Sequence, residues 1–363
     1  MHPFVYNIRM RKFVGFLLSI IVILSSLAFS ACGSTFSTYS FSAFGSEVFI
    51  TVKGELSSQV KKEIKDLTIA LDNEFSTTNT NSLIYNLNEN STPNALSNSG
   101  IEVFNLSKKY ATLTNGKFSP AIYPLTDLWQ LSASKFSFDN TLIIPSELEI
   151  SSTKLLCNFD DFTLDENGKI NKVSQEQKLD FGGIIKGFAA DKIFEILTKN
   201  EFSEGYVRIG GSSLYILSIP TDLKIKHPRK SGEFIVSVKN STLNSTPLST
   251  SGDYERYYEK DGERYCHIIN ASTGAPIKTN ISTATIFGVS GAFTDALSTA
   301  VSCYNFSADA PSELTEFLSS TLSNNDYKNM KFIIVHEQTK KIITNFEKDE
   351  ITILDSVYSI YKI

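Results

Sequence analysis

The chain has 363 residues, of which 41% are hydrophobic and 20% charged, and its formal net charge is -5. This length is enough for one large domain or two smaller ones, and the composition is ordinary for a globular protein. No long run of Lys or Arg follows residue 12. That absence argues against a nucleic-acid partner, because binding a phosphate backbone requires a concentrated basic face.

The first 31 residues have the pattern of an export signal. A basic region at residues 9–12 precedes an almost unbroken apolar run at residues 13–28, and small residues then lead to Cys32. This pattern is typical of a signal peptide, and a cysteine directly after small residues resembles a bacterial lipobox. We therefore expect a lipoprotein signal peptide at residues 1–31 and membrane anchoring through lipidated Cys32. The alternative is an uncleaved membrane anchor with an incidental cysteine; both place the bulk of the protein outside the cytoplasm.

A short segment rich in Ser and Thr follows, and residues 32–43 are predicted to form a lipidated tether. One large domain is expected over residues 44–363. Cys157, Cys266 and Cys303 are widely spaced and odd in number, so they indicate neither a disulfide framework nor a CxxC metal site. We expect them to be small buried hydrophobic residues.

The spacing of apolar residues predicts the regular elements of this domain. Alternation predicts a strand at residues 47–53, and helical spacing predicts helices at residues 55–75 and 101–114. The remaining elements expected are a short helix and two strands after Pro145, a helix at 185–199, two strands at 205–218, strands at 234–238, 249–259, 265–270 and 281–289, a helix at 293–303, and apolar segments at 331–336, 341–346 and 351–363. Strands and helices interleave without a regular βαβ period. We therefore predict a single α+β or α/β domain with a mostly antiparallel sheet and flanking helices.

The segment at residues 179–191, LDFGGIIKGFAAD, combines a carboxylate, a glycine pair and the start of a helix. The glycines would let the backbone approach a ligand, and the free N–H groups of a helix start favour an anion. Lys186 would lie in the first helical turn, with its charge near that anion site. Taken alone, such a pattern is more often an ordinary turn before a helix, and it is neither a P-loop nor a GxGxxG sequence.

Two later segments carry residues whose role depends on context. Arg208 lies in a predicted strand beside a glycine pair, where a β-bulge or hairpin with a solvated arginine is the more ordinary interpretation. His267 lies within a predicted apolar strand between the segments STSGDY at 249–254 and STGAP at 272–276. A lone histidine in a strand usually has a structural role.

The segment TDALST at residues 294–299 offers oxygen ligands. Asp295 and Thr299 are four residues apart and therefore share one face of a helix. A carboxylate and a hydroxyl one turn apart suit Mg²⁺, which prefers oxygen ligands. For an isolated pair, an aspartate that stabilises the helix N-terminus is the simpler interpretation.

These segments occur together and in order, and in this arrangement residues 44–302 resemble the FAD:protein FMN transferase family, also called ApbE. Residues 116–120, GKFSP, with the PL and LW pairs that follow them, are similar to the family stretch GxFDP…PLxxLW. Ser76, Ser82 and Asn88 are similar to a further family segment. Several ordered matches are more specific than any one motif.

The resemblance implies which residues form the site. The backbone carbonyl of Gly183 and the side chains of Asp295 and Thr299 would hold Mg²⁺, and His267 would be the catalytic-region histidine. FAD would be contacted by residues from the other matched segments, namely Phe44, Thr78, Lys117, Phe118, Ser119, Asp180, Lys186 and Ile269.

The resemblance also implies a reaction in which FAD is cleaved and AMP leaves. A Thr or Ser hydroxyl of an exported or membrane redox protein would attack the FMN phosphorus, and Mg²⁺ and cationic side chains would neutralise the diphosphate charge. His267 would help to remove the hydroxyl proton. The alternatives are an FAD pyrophosphatase that gives FMN and AMP, and a non-catalytic flavin-binding lipoprotein.

The chain departs from the family pattern at five positions. Phe44 stands where Met is usual, Thr78 where an aromatic residue is usual, and Ser119 where Asp is usual. The family pattern HxxDP is represented by His267, two isoleucines, Asn270 and an alanine. The loss of two carboxylates is the argument for the non-catalytic alternative, whereas the metal pair and the glycine segment are intact.

Overall fold

The computed structural model describes residues 35–90 and 95–363. The predicted signal peptide and Cys32 lie outside these residues. The helices in the described part of the chain are α1 (Ser58–Phe75), α2 (Leu83–Asn88), α3 (Asn98–Leu113), α4 (Tyr123–Leu128), α5 (Glu147–Lys154), α6 (Ile185–Lys199), α7 (Gly291–Val301) and α8 (Glu313–Ser323). None of the helices in the two described ranges is long and apolar enough to cross a membrane.

The strands of the described residues belong mainly to one large sheet. They are β1 (Phe36–Ala43), β2 (Ser46–Lys53), β3 (Phe162–Leu164), β4 (Ile170–Lys172), β5 (Gly205–Ile209), β6 (Ser213–Ser218), β7 (Leu223–Lys226), β8 (Phe234–Val238), β9 (Thr246–Gly252), β10 (Tyr257–Lys260), β11 (Glu263–Cys266), β12 (Ile269–Asn270), β13 (Ala275–Pro276), β14 (Ile281–Phe287), β15 (Lys331–His336), β16 (Lys341–Thr344), β17 (Ile351–Ile353) and β18 (Ser359–Lys362). Nine of them form a sheet in the order β1-β2-β5-β6-β9-β14-β15-β16-β18. Only the β16–β18 pair in this sheet is parallel. The prediction of a single mixed domain with a mostly antiparallel sheet is therefore confirmed.

The large sheet is covered on both faces over its central strands. Side chains of successive strand residues point to opposite faces, and in β6 Tyr215 packs into the core on the helical side whereas Ile216 packs into a second core. Ile334 and Ile333 of β15 divide in the same way. Helices α6 and α7 contact strands β6 and β9 on the helical side. The small sheet β17-β8-β7 supplies the second core, so the central strands are buried on both faces.

Helix α1 shows why the periodic segments were predictable. Val60, Ile64 and Leu71 are buried on one face, as their spacing predicts. The hydroxyl of Ser57 accepts a hydrogen bond from the N–H of Val60 and caps the first turn. The predicted helices that became α6 and α7 lie within two residues of their expected bounds, although α7 is buried on almost all sides and not along one stripe.

Three predicted segments differ from the structure. Most of the predicted tether is strand β1, which pairs with β2 along its whole length, from Phe36 opposite Lys53 to Ala43 opposite Ser46. Its alternating Ser and Thr residues form the more exposed side of an edge strand, and this composition was mistaken for a linker. The predicted strand at 249–259 is interrupted between β9 and β10.

The predicted strand at 265–270 is also interrupted. It divides into β11 and β12, and His267 lies in the break between them. The two pairs β10–β11 and β12–β13 pack with α4 around a separate cluster that contains Trp129, Tyr258 and Ile269. The indole N–H of Trp129 donates to the carbonyl oxygen of Gly274 at 2.8 Å, which fixes these short strands against α4.

Candidate active site

The site is built where α6 crosses α7 at van der Waals contact of their backbones. A Cβ atom added to Gly187 would lie 2.0 Å from the carbonyl oxygen of Gly291, and one added to Gly291 would lie 2.3 Å from that of Gly187. Both distances are far below any tolerated contact, so only glycine fits at either position. This close approach brings the first turn of α6 directly against α7.

Asp295 lies on α7 at this crossing and is 4% exposed. Its Oδ2 atom accepts a hydrogen bond of 3.0 Å from the N–H of Gly187. Burial raises the pKa of the Asp295 carboxyl, while the positive charge of Lys186 and the Gly187 hydrogen bond act in the opposite direction. A carboxylate that is removed from water attracts a cation when its hydrogen bonds and neighbouring charges only partly offset its lost hydration.

Thr299 lies one turn after Asp295 on α7, and Gly183 lies next to Thr299. The Oγ1 atom of Thr299 is 3.4 Å from the carbonyl oxygen of Asp295 and 3.3 Å from the hydroxyl of Ser251. A Cβ atom added to Gly183 would lie 3.6 Å from the Thr299 hydroxyl. The structure therefore brings together the segments of all three residues that the sequence assigned to the metal.

The donor set of this cluster is one carboxylate, one hydroxyl and backbone carbonyl groups. Hard cations such as Mg²⁺ take oxygen ligands of this kind and retain waters or substrate phosphates for the remaining positions. Within the described ranges, no group of three or more His, Cys, Asp or Glu side chains could hold a metal. The chemistry of the oxygen set thus fits Mg²⁺ and does not resemble a zinc site.

The loop that precedes α6 is fixed by backbone hydrogen bonds. The side-chain amide of Asn88 bonds both the N–H and the carbonyl of Leu179, each at 2.8 Å. The N–H of Asp180 donates to the carbonyl of Pro120 at 2.8 Å, and the Asp180 carboxylate accepts from the N–H of Gly182 at 2.7 Å. Asp180 is therefore held at the entrance to the helix crossing.

Lys186 occupies the first turn of α6, as the sequence predicted. Its ammonium donates to the carbonyl of Gly182 at 2.8 Å, and its charge acts on both Asp295 and His267. Ile184 is the N-cap residue of α6, and its side chain cannot cap the helix by a hydrogen bond. The uncapped helix start and the lysine together favour an anion at this point.

The segment Lys117–Ser119 lies on the other side of Gly183. Phe118 is buried, and its ring is 3.3 Å from the position that a Cβ of Gly183 would take. Lys117 reaches the hydroxyl of Ser272 at 3.5 Å. Ser119 accepts a hydrogen bond from the N–H of Ala121 and caps a short turn, so its hydroxyl has a local structural role.

His267 faces the site from the break between β11 and β12. Its backbone N–H and its ring Nδ1 lie 3.0 and 3.3 Å from the carbonyl oxygen of Arg256. Because a carbonyl only accepts, Nδ1 carries the proton and Nε2 is left as an acceptor. Burial, followed by the charges of Arg256 and Lys186, lowers the pKa of His267 to about 3. The imidazole is consequently neutral near pH 7.

The residues after His267 are held by Asn270. Its amide donates to the carbonyl of Cys303 at 3.2 Å, and its Oδ1 accepts from the N–H of Ser272 at 2.9 Å. A carboxylate could not donate the first of these bonds, so the asparagine joins this turn to the end of α7. Ile269 is buried beside it in the cluster around Trp129.

Two residues predicted to contact FAD are not joined to this cluster. Phe44 lies in the turn between β1 and β2 with φ at 55° and packs against the main core. Thr78 is exposed, and its hydroxyl lies 3.3 Å from that of Ser76. The Phe44 side chain has no polar atom, and in the described part of the chain the Thr78 hydroxyl has no hydrogen bond to the residues around Asp295.

Sequence reasoning missed one residue that builds the site, Asp191. The carboxylate of Asp191 accepts hydrogen bonds from the N–H groups of Gly291 and Ala292 and so attaches α6 to the start of α7. Its position four residues after Gly187, on the same helix face, was the available signal.

Comparison with known proteins identifies the family. The model of the ApbE family matches residues 44–315. An FAD:protein FMN transferase of Treponema pallidum is 29% identical over 212 residues, which cover 53% of this chain and 56% of that protein. The FAD:protein FMN transferase of Vibrio cholerae is 25% identical over 249 residues, which cover 67% and 72%. The chain thus spans little more than half of the Treponema protein.

Solved structures share the fold described above. The crystal structure of the ApbE protein from Thermotoga maritima has a TM-score of 0.69 and 26% identity, and covers 83% of this chain and 94% of that one. The flavin transferase ApbE from Vibrio cholerae, at 21% identity, has a TM-score of 0.68 with coverages of 84% and 94%, and shows the fold alone. The family match contains the whole cluster from Phe118 to Thr299, and this chain belongs to the ApbE family.

Proposed function

We propose that this chain is a Mg²⁺-dependent FAD:protein FMN transferase. The observation that carries the proposal is the meeting of Asp295, Thr299 and Gly183 beside Lys186 at the start of α6. An oxygen cluster next to a cationic helix start suits the phosphates of a dinucleotide. The relatives that share this stretch are named FAD:protein FMN transferase, which supports FAD as the substrate and flavin transfer as the reaction.

Within this proposal, Asp295, Thr299 and the backbone of Gly183 would hold Mg²⁺. The ion would supply positive charge for the diphosphate of FAD. Gly187 keeps the Asp295 carboxylate oriented through its N–H. The close crossing of α6 and α7 excludes water from behind the carboxylate, which strengthens its attraction for any cation in front.

The proposed reaction is a phosphoryl transfer in which the flavin half of FAD moves to a protein hydroxyl. The hydroxyl oxygen of a Thr or Ser forms a bond to the FMN phosphorus, and the bond from that phosphorus to the bridging oxygen breaks. AMP leaves with the electron pair of that bond. Neutral His267 offers Nε2, which has no hydrogen-bond partner in the described residues, as an acceptor that orients the attacking hydroxyl. Because the pKa of His267 is lowered to about 3, the imidazole is a weak base, and the hydroxyl proton passes to solvent water. Positioning and charge neutralisation supply most of the catalysis in such reactions.

The location and the acceptor are parts of the same proposal. Residues 9–32 have the pattern of a lipoprotein signal, which supports anchoring through Cys32 outside the cytoplasm. An enzyme in that position would meet exported or membrane redox proteins as FMN acceptors. Metabolic labelling of the full chain with a fatty acid, lost in Cys32→Ser, would test the anchor.

The reaction is tested by incubating the protein with FAD, Mg²⁺ and a candidate redox protein. Covalent FMN on the redox protein supports transfer, free FMN with AMP supports hydrolysis, and unchanged FAD supports binding alone. Asp295→Asn should lower flavin transfer by at least about 100-fold because the metal loses its only carboxylate in the cluster.

Ser302→Ala is the matched control, since Ser302 ends the same helix and its hydroxyl bonds only the carbonyl of Ser298. We expect transfer within about 2-fold of the unaltered protein, as for substitutions outside a reacting centre. Undiminished turnover in Asp295→Asn would contradict the assignment of the metal site.

A further inference from the structure

Strand β9 and helix α7 are joined by two equivalent hydroxyl contacts. Ser249 and Ser251 alternate with Thr250 and therefore project from the same face of β9, about 6.6 Å apart along the strand. The hydroxyl of Ser249 lies 3.1 Å from that of Thr294, and the hydroxyl of Ser251 lies 2.9 Å from that of Ser298. Thr294 and Ser298 are separated by one helical turn, or about 6 Å along α7, so the two spacings match.

The protons of the hydroxyl groups around Ser251 have fixed directions. Ser298 donates to the carbonyl oxygen of Asp295 at 3.0 Å, because a carbonyl only accepts. A hydroxyl has a single proton, so Ser251 is the donor in its contact with Ser298. A further contact joins Ser251 Oγ to Thr299 Oγ1 at 3.3 Å. Since the Ser251 proton is already used, Thr299 is the donor in this contact.

The Thr299 hydroxyl has one other acceptor within reach, the carbonyl oxygen of Asp295 at 3.4 Å. This oxygen already accepts the proton of Ser298. As a carbonyl inside α7 it also accepts the backbone N–H of the fourth residue after it, which is Thr299 itself. A carbonyl oxygen has two lone pairs. The Ser251 oxygen is therefore the acceptor that remains for the Thr299 proton.

The lone pairs of Thr299 are left without a donor. Among the described residues, its Oγ1 makes only the contacts with Ser251 and Asp295, and Thr299 is the only residue of α7 that is not buried. A Cβ atom added to Gly183 would lie 3.6 Å from this hydroxyl, on the side of the proposed metal site. A hydroxyl whose proton is held elsewhere and whose lone pairs are free suits a hard cation.

Thr294 lies on the same helix and shows the opposite arrangement. Its own proton goes to the carbonyl oxygen of Gly291 at 3.0 Å, so it accepts the proton of Ser249 in their contact at 3.1 Å. One lone pair of Thr294 is thus occupied, and its side chain is fully buried. The two serines of β9 therefore treat the two threonines of α7 differently.

We propose that Ser251 is a positioning residue of the metal site. By accepting the Thr299 proton, it directs the lone pairs of that hydroxyl toward the space beside Gly183. This inference rests on the proposed function, in which Thr299 is a ligand of Mg²⁺. Outer partners that orient a metal ligand commonly change metal affinity by about 10- to 100-fold. The competing interpretation is that Ser251 only joins β9 to α7.

The test measures the binding of Mn²⁺ alone to the full chain, from the electron paramagnetic resonance signal of the free ion. The Mg²⁺ concentration for half-maximal FMN transfer is the second readout. Ser251→Ala should weaken Mn²⁺ binding by about 10-fold and raise the Mg²⁺ requirement by a similar factor. Ser251→Thr keeps a hydroxyl on the strand and should bind Mn²⁺ within about 3-fold of the unaltered chain.

Ser249→Ala is the matched control, because it removes the equivalent contact at Thr294, which is not a metal ligand. Both alanine variants should lose about 2 °C in the midpoint of thermal unfolding. Only Ser251→Ala should lose affinity for Mn²⁺. Equal weakening of Mn²⁺ binding in the two variants would show that Ser251 only joins the strand to the helix, and an unchanged affinity in Ser251→Ala would overturn the inference directly.

A double variant tests whether Ser251 acts through Thr299. Thr299→Val removes the ligand and leaves Asp295 and the Gly183 carbonyl to bind Mn²⁺ more weakly. Adding Ser251→Ala to this variant should cause no further loss, because the serine has no hydroxyl left to orient. A further loss of about 10-fold in the double variant would contradict the assignment.

The outcomes also separate this inference from the proposed function. If the unaltered chain binds Mn²⁺ in a Ser251-dependent way but transfers no FMN, the transferase proposal fails and the Ser251 assignment stands. If it transfers FMN and Ser251→Ala needs the same Mg²⁺ concentration and binds Mn²⁺ equally well, only the Ser251 assignment fails. If the unaltered chain binds no Mn²⁺ and transfers FMN without Mg²⁺, the metal site and the Ser251 assignment fail together.

Discussion

The two sides of the candidate active site are built in different ways. One side is the helix crossing, residues 182–191 and 291–299, where glycines bring the backbones of α6 and α7 together. The carboxylates of Asp191 and Asp295 accept hydrogen bonds from backbone N–H groups there. The other side is the hairpin region, residues 256–276, which consists of two pairs of short strands with His267 in the break between them.

This difference separates folding from binding. Two-stranded pairs are marginally stable by themselves, and the hairpin region depends on contacts such as that of Trp129 with Gly274. The helix crossing lies within the main core, and its backbones are too close to accept a side chain at Gly187 or Gly291. We therefore expect substitutions in the crossing to affect stability first, and substitutions in the hairpin region to affect ligand binding first.

The largest stability effect should come from Gly187→Ala. The added Cβ would lie 2.0 Å from the Gly291 carbonyl and 2.8 Å from the Asp295 Cβ, so the helices must separate. We expect a loss of about 3 kcal/mol in the free energy of unfolding, measured by urea denaturation. Gly211→Ala is the control, because its nearest atom is the flexible Glu255 carboxylate at 3.6 Å. An unchanged midpoint for Gly187→Ala would contradict the account of the crossing.

A smaller effect is expected from the pH dependence of Asp191. Burial raises the pKa of its carboxyl to about 7, against 3.8 as the ordinary value. Between these values the folded state binds the proton more strongly than the unfolded state, so this contribution to stability is lost as pH rises through about 7. From pH 5 to pH 8 the unaltered chain should lose about 2 kcal/mol relative to Asp191→Asn.

The measurement for Asp191 is urea denaturation at several pH values. The exposed Asp326, paired with Lys109 at 3.8 Å, provides the control: Asp326→Asn should follow the unaltered chain. If the free energies of unfolding of Asp191→Asn and the unaltered chain change in parallel from pH 5 to pH 8, the pKa of the Asp191 carboxyl is not raised.

The smallest effect has the opposite sign and lies in the hairpin region. The pKa of His267 is lowered to about 3, from 6.5, by burial and by Arg256 and Lys186. As pH falls below 6.5, the unfolded chain takes up a proton that folded His267 refuses, and stability is lost. Relative to His267→Gln, this loss should be about 1 kcal/mol from pH 7.5 to pH 5.5.

The same prediction has a direct spectroscopic check. The ring resonances of His267, assigned by their absence in His267→Gln, should not titrate between pH 5 and pH 8 in NMR spectra of the free protein. A midpoint near 6.5 would show that the imidazole is solvated and that its pKa is not lowered.

Periodic segments were predictable from the regular spacing of their apolar residues, which in α1 are buried on one face. Helices α1, α6 and α7 lie where apolar spacing placed them, with boundaries shifted by a few residues. Strands β1, β7 and β13 and helices α2, α4 and α8 were missed. In β1, Ser and Thr alternate on the more exposed side of an edge strand, and only pairing with β2 distinguishes this from a linker.

The candidate site was predictable only in part. Asp295, Thr299, Gly183, Lys186 and His267 were named from ordered motifs, and the structure places the first four in one cluster with His267 facing it. The departures at Ser119 and Asn270, which favoured a non-catalytic protein, are explained by a turn cap and a bond to Cys303.

The sequence by itself determined the helices, the order of the motifs and the family, because these depend on local periodicity and on residues close together in the chain. Only the tertiary structure decided what each polar side chain does. Asp191 has its hydrogen-bond partner 100 residues away at Gly291, and His267 lies in a break between two strands that the sequence pattern did not predict. Hydrogen bonds and charges act over a few ångströms in space, whatever the separation along the chain.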